Sequence, residues 1–133
     1  MSADFLDSNI LLYLAWSDQR KSIIVEELLQ DQPTISVQVI NEVTNVLRGK
    51  RKLDWPIVNG FIEDLLPITV VLPLTQDTNR SARSLAARYG FAWYDAVIVA
   101  SALEARCARL YTEDMHHGQK IGDLTIVNPF RYR

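Results

Sequence analysis

Apolar positions along the chain fall into two patterns, short continuous runs and longer stretches with helical spacing. Residues 3–6 predict a short first strand ending at Asp7, and residues 34–37 a second after the Pro33 breaker. Between them, residues 9–16 and 20–29 carry helical spacing, with Ile23, Ile24 and Leu28 set to one side. Val39, Ile40, Val43, Val46 and Leu47 predict a third helix that stops near Gly49. Residues 55–66 predict a further helix, with Asp54 as N-cap and Pro56 in its first turn. Residues 68–72 are continuous and β-branched between Pro67 and Pro73, the pattern of a buried parallel strand. A helix over 75–89 ends at Gly90, and the nearly wholly apolar stretch 95–107 predicts a helix buried on most of its circumference. Residues 109–112 and 124–127 bring the strand count to five. Strands alternating with helices give an α/β class, here a three-layer α/β/α sandwich around a central parallel sheet.

The length of 133 residues fits a single domain over 1–133 that can bury a real core. With 48% hydrophobic and 23% charged residues, the composition is that of a soluble globular protein. The first apolar helical stretch is far shorter than the ~20 residues of a membrane span and follows two aspartates, unlike a secretory leader. The expectation is a cytoplasmic protein with no membrane contact. Cys107 is the single cysteine, which excludes an internal disulfide and a multi-cysteine zinc site, and it reads as a small buried hydrophobe on a helix. A net charge of −2 argues against a nucleic-acid coat protein. It leaves room for an enzyme with acids gathered in one pocket and bases around the rim.

Four acids stand out by their apolar settings. Asp7 follows Phe5-Leu6 at the carboxyl end of the first strand, and Asp114 follows Leu110-Tyr111-Thr112 past another. Glu42 lies beside the apolar stripe of its helix, and Asp95 opens the most apolar helix. Open α/β sheets bind ligands beyond the carboxyl ends of their strands, where two of these acids lie. Each acid alone has a structural explanation: Asp7 as an N-cap, Asp95 against a helix dipole, Glu42 at a solvated edge, Asp114 in a turn. Together, converging carboxylates cost several kcal/mol unless a cation compensates. An oxygen-only set without thiolates suits Mg²⁺ or Mn²⁺ over zinc.

These residues sit in an ordered set of motifs. Phe5-Leu6-Asp7-Ser8-Asn9-Ile10-Leu11 resembles the opening motif of PIN domains, and Gln38-Val39-Ile40-Asn41-Glu42-Val43 resembles their second acidic motif. Tyr94-Asp95-Ala96-Val97-Ile98-Val99-Ala100 is similar to the third, and Leu110-Tyr111-Thr112-Glu113-Asp114-Met115 to the fourth. The order and spacing agree over nearly the whole chain, and the likeness extends to VapC-like toxins of bacterial toxin–antitoxin pairs. That resemblance implies a metal-dependent ribonuclease with Asp7, Glu42, Asp95 and Asp114 as metal-binding, catalytic acids. It places Ser8, Asn9 and Thr112 as polar supports behind them. Glu113 is a rival to Asp114, and Asp4 to Asp7, although only Asp7 precedes the Ser-Asn pair. It also implies a small antitoxin partner that covers the pocket with an inserted basic side chain, and a homodimer.

The chemistry so implied is hydrolysis of an RNA phosphodiester by a metal-activated water, with a carboxylate orienting that water or taking its proton. His116 and His117, beside Gly118, read more simply as a polar loop. Arg48, Lys50, Arg51 and Lys52 form the one dense basic cluster. They either complement a helix C-terminus or, for Arg48, Lys50 and Arg51, hold substrate phosphates. Trp16, Trp55 and Trp93 stand next to apolar periodic residues and suit packing, with Trp93-Tyr94 the better candidates for lining a pocket. Three alternatives remain: an RNA-processing nuclease of the same family without an antitoxin, a non-catalytic module, or a phosphoacceptor receiver domain. The receiver requires an aspartate at a middle strand's end, and Val70-Val71-Leu72-Pro73 offers none.

Overall fold

The computed structural model describes residues 4–131. Its strands are β1 (Asp4–Leu6), β2 (Thr34–Ser36), β3 (Val70–Leu72), β4 (Arg109–Tyr111), β5 (Lys120–Ile121) and β6 (Leu124–Val127). Its α-helices are α1 (Ser8–Leu11), α2 (Gln19–Leu29), α3 (Val37–Asn45), α4 (Trp55–Leu65), α5 (Gln76–Tyr89) and α6 (Trp93–Glu104). They flank one sheet of order β3-β2-β1-β4-β6-β5, parallel throughout except where β5 meets β6. The architecture is an α/β sandwich. Phe5, Leu6, Ile35, Leu110 and Ile126 are wholly buried and form the centre of the core. Among the described residues no helix is long and apolar enough to cross a membrane.

The chain builds outward from β1, first through β2 and β3 on one side, then through β4 and β6 on the other. The carboxyl ends of β1 and β4 therefore flank the point where the winding reverses, and the chains leaving them diverge into a crevice. Leu6 pairs with Tyr111 in this register, which sets Asp7 beside Thr112. Helix α6 contributes Ala96 to Ala102 as an unbroken buried run. Small residues at Ala82, Ala96 and Ala100 let α5 pack closely against it.

Several boundaries differ from the pattern in the sequence, each for a local reason. Ala3, expected to open the first strand, lies outside the described residues. The helix expected over 9–16 runs from Ser8 to Leu11 and tightens into a 3-10 turn over Leu12–Leu14. In α2, Ile24 and Val25 face the core while Ile23 is half-exposed. The helix carrying Glu42 does not end on Gly49 but loosens into a π turn over Val46–Lys50, and Lys52 takes the left-handed conformation, φ 54°. Asp54 is the N-cap of α4 by position, with no side-chain hydrogen bond to the helix.

The apolar run over 68–72, expected as a buried parallel strand, pairs in parallel only over Val70–Leu72 and lies at the sheet's edge, with Val70 37% exposed. Its β-branched residues signal a strand but not which strands flank it. Cys107 is buried as expected, but beyond α6. Arg106 turns left-handed at φ 56°, and the Cys107 N–H closes the helix on the Ala102 carbonyl. The sixth strand, β5, is only two residues long. Gly122-Asp123 turns it back onto β6, with Gly122 at φ 59°.

Candidate active site

Asp7 is the N-cap of α1, so capping and pocket placement coincide in one residue. Its Oδ1 accepts the Ser8 N–H at 2.7 Å, and its Oδ2 accepts the Thr112 hydroxyl at 2.9 Å. Two residues later, the Asn9 amide reaches across the crevice. It donates to Thr112 Oγ1 and to Asp114 Oδ2, both at 3.0 Å, while its carbonyl accepts the Glu113 N–H at 3.1 Å. Asn9 thereby fixes the start of the loop after β4 relative to β1. Ser8 works in the other direction and donates to Glu42 Oε1 at 2.7 Å.

Glu42 is carried by α3, whose start is fixed by Ser36 at the end of β2 acting as N-cap to Val39 N–H. Gln38, one turn earlier, donates to Glu42 Oε2 at 3.0 Å. Asp95 sits in the first turn of α6, third residue of a helix that begins at Trp93 and not at Asp95 itself. Ser8, Gln38, Asn41, Glu42, Asn45, Val46, Tyr94, Asp95 and Asp114 line one pocket of about 600 Å³. Asp7 lies behind Ser8 and is buried.

The electrostatics of this pocket are those of acids without a cation. Burial, then the charge of Glu42, pushes the Asp7 carboxyl up to about 7, with Asp95 adding in the same sense. The hydrogen bonds from Thr112 and the Ser8 N–H oppose that rise without cancelling it. Asp95 is raised by burial, then by Asp114 and Glu42. No Lys, Arg or His is among the residues lining the pocket. An all-oxygen donor set whose members repel one another fits a hard divalent cation in chemistry. As placed, no three His, Cys, Asp or Glu side chains among the described residues could hold an ion. The acids share a pocket without closing into a cage.

The rival acids are engaged elsewhere. Glu113 turns away from the pocket, accepting the Tyr13 hydroxyl and pairing with Lys21 Nζ at 2.8 Å. Asp4 sits at the other end of β1, paired with Arg109 at 2.7 Å. His117 Nδ1 accepts the Asn128 N–H at 2.9 Å and secures the loop before β5 to the end of β6. The basic cluster lies a turn beyond Val46 and does not line the pocket. There the Arg48 guanidinium lies over Trp55, that of Arg51 over Trp16, and Arg48 also donates to the Leu53 carbonyl at 3.3 Å.

Sequence inspection passed over Gln38, Asn41 and Asn45 as pocket residues. Their signal was present: with Glu42 they form a polar stripe at i, i+3, i+4 and i+7 on the helix whose other face is apolar.

Residues 5–120 match the family model of the PIN domain, and the chain belongs to that family. None of the curated proteins matches it. Solved structures do. One is a toxin–antitoxin complex from Klebsiella pneumoniae, with TM-score 0.70, 22% identity, and 96% of this chain and 98% of that one covered. Another is FitAcB from Neisseria gonorrhoeae, with TM-score 0.70, 20% identity, and coverage of 96% and 99%. A third is VapC20 of Mycobacterium tuberculosis, described as a sarcin–ricin loop cleaving toxin, with TM-score 0.68, 18% identity, and coverage of 84% and 89%. At these identities the likeness establishes a shared fold.

Proposed function

We propose that this chain is a Mg²⁺- or Mn²⁺-dependent endoribonuclease and the toxin of a VapBC-type toxin–antitoxin pair. The observation that carries the proposal is the gathering of Glu42, Asp95 and Asp114 around one pocket, with Asp7 buried behind them and raised to about 7. A fold stabilised only by its own contacts would place a cation beside Asp7, and this one places acids there. Membership of the PIN domain family and the toxin–antitoxin complexes among the structural neighbours support the same assignment.

Asp7, Glu42, Asp95 and Asp114 are the residues that would hold the metal. A bound Mg²⁺ or Mn²⁺ supplies positive charge against the scissile phosphate and a water of lowered pKa. Thr112, Ser8 and Asn9 hydrogen-bond these carboxylates and limit their orientations. Asp7, held by hydrogen bonds from Ser8, Asn9 and Thr112, is a holding group. Asp95 and Asp114, nearer solvent, are placed to orient the attacking water and accept its proton. Arg48, Lys50 and Arg51, outside the pocket, would meet phosphates farther along the strand.

The test is cleavage of mixed RNA by purified protein in Mg²⁺, in EDTA, and with Asp7→Asn in Mg²⁺. Cleavage in the first condition only is the expected result, and equal cleavage in all three overturns the proposal. Co-expression with the adjacent small open reading frame, followed by pull-down, tests the antitoxin. Sedimentation of the purified chain tests the homodimer.

A further inference from the structure

Beside the acidic pocket lies a second cleft of about 260 Å³, and the two share Gln38 and Tyr94 as a common wall. Trp93 and Tyr94, at the start of α6, line it with 39% and 60% of their surfaces exposed. Neither ring is needed to fill the hydrophobic core. Leu74 and Val97 add apolar surface. The polar groups of the cleft divide into used and available ones. The Thr75 and Thr78 hydroxyls are engaged in the cap of α5, and Thr78 also donates to Glu104. Gln38, only 8% exposed, commits its amide nitrogen to Glu42 and leaves its carbonyl oxygen uncommitted. Asn79 commits its carbonyl to Arg83 Nε and keeps its amide N–H groups.

A cleft with exposed aromatic faces, one available acceptor and one available donor is complementary to a flat heteroaromatic ring with polar edges. Its position, sharing Gln38 and Tyr94 with the acidic pocket, specifies the kind. A nucleobase seated there has its own phosphate beside Glu42 and Asp95. We propose that this cleft is the base-binding subsite for the nucleotide next to the scissile phosphate of single-stranded RNA. Trp93 and Tyr94 supply stacking surface, while Gln38 and Asn79 meet the base edge. The proposal rests on the nuclease assignment for its orientation, but base binding itself is measured without cleavage.

The experiment uses the full chain carrying Asp95→Asn, which lowers acid repulsion and suppresses turnover. Fluorescence anisotropy follows labelled hexaribonucleotides of A, C, G or U and an abasic ribose-phosphate hexamer. Trp93→Ala is expected to weaken binding of the base-bearing oligomers about tenfold. It should leave the abasic oligomer unchanged, and Trp93→Phe should recover most of the loss. Asn79→Ala should alter the ranking of the four bases. Equal binding of base-bearing and abasic oligomers overturns the subsite, as does indifference to Trp93→Ala. A change in sedimentation with Trp93→Ala, in place of a change in RNA affinity, makes the cleft a protein interface and overturns it too. Absence of Mg²⁺-dependent cleavage by the wild-type chain, with base-dependent binding intact, would overturn the nuclease assignment and leave the subsite standing.

Discussion

Strand β1 buries an aspartate at one end and leads into a second, and the two are treated in opposite ways. Asp4 is 5% exposed and Asp7 is 3% exposed, so both are withdrawn from water. Asp4 is in register with Arg109 on β4 and accepts its Nε–H at 2.7 Å. The corresponding neighbour of Asp7 is Thr112, a neutral hydroxyl, and the nearby charges are the acids Glu42 and Asp95. The same fold, with the same residue type at either end of one strand, supplies a cation at the amino edge and withholds one at the carboxyl edge. A buried charge without its own counter-ion is costly to keep. Asp7 stands at the edge where α/β sheets bind ligands, and under the proposed function the missing counter-ion is the metal.

The largest expected effect separates the two aspartates by activity. Asp7→Asn should lower Mg²⁺-dependent RNA cleavage by about 100-fold, the upper end of the range for losing a group that supports a metal site. Asp4→Asn should leave the rate near wild type at temperatures where the variant is folded. Comparable losses in both, measured on correctly folded protein, would erase the distinction.

Stability against pH gives the next effect. The Asp7 carboxyl rises from 3.8 in an ordinary setting to about 7 in the fold. Between those values the folded chain keeps a proton that the unfolded chain has lost. The contribution of Asp7 to stability is therefore greatest below about pH 4, falls as pH rises towards 7, and stays reduced above it. The loss is on the order of a few kcal/mol, and Asp95 adds to it in the same direction. Metal-free protein in EDTA should melt at a higher temperature at pH 5 than at pH 8. Asp7→Asn should flatten this slope. Mg²⁺ or Mn²⁺ at a hundred times its Kd should restore about 2.7 kcal/mol at pH 8. A metal-free melting temperature that climbs from pH 5 to pH 8 would contradict the assignment of Asp7.

A smaller change applies to the amino edge. Arg109→Ala removes the partner of a buried carboxylate, but Arg109 itself is half-exposed and water can enter in its place. Urea denaturation should show a loss of about 1–2 kcal/mol, with cleavage retained. A loss of cleavage larger than the loss of stability explains would mean that the two ends of β1 are coupled.

How far this contrast was legible beforehand follows from the range of the signals. The motif around Asp7, the polar Ser8-Asn9 pair and the apolar run after Asp95 are local patterns, and sequence alone brought them forward. That Asp4 points to Arg109 depends on register between strands more than a hundred residues apart, which periodicity does not encode. The choice between Glu113 and Asp114 is of the same kind. Adjacent acids look alike in sequence, and the difference is that Tyr13 and Lys21 capture one of them. Likewise the run near residue 70 announced a strand, while its place at the sheet edge follows from the order in which the chain visits the sheet. Hydrophobic spacing also located α3 yet led attention to its apolar face, so the polar stripe from Gln38 to Asn45 went unremarked.

The smallest effect supplies a neutral reference for the two buried charges. Ser101 lies in α6, 1% exposed, and among the described residues its hydroxyl is the one buried side-chain polar atom with no hydrogen-bond partner. Its burial forfeits hydrogen bonds to water without replacement, as Asp7 forfeits solvation, but with no net charge. Ser101→Ala removes the orphaned hydroxyl, costs little volume, and installs the residue with the highest helix propensity. The expected outcome is a gain of about 1 kcal/mol in urea, equal at pH 5 and pH 8. The pH-independence is the informative part. A polarity penalty at Ser101 has no proton to exchange, whereas that at Asp7 is relieved by one. If Ser101→Ala were destabilising, the hydroxyl would be making a bond that offsets its burial, and α6 would contain no uncompensated polar group against which to measure Asp7.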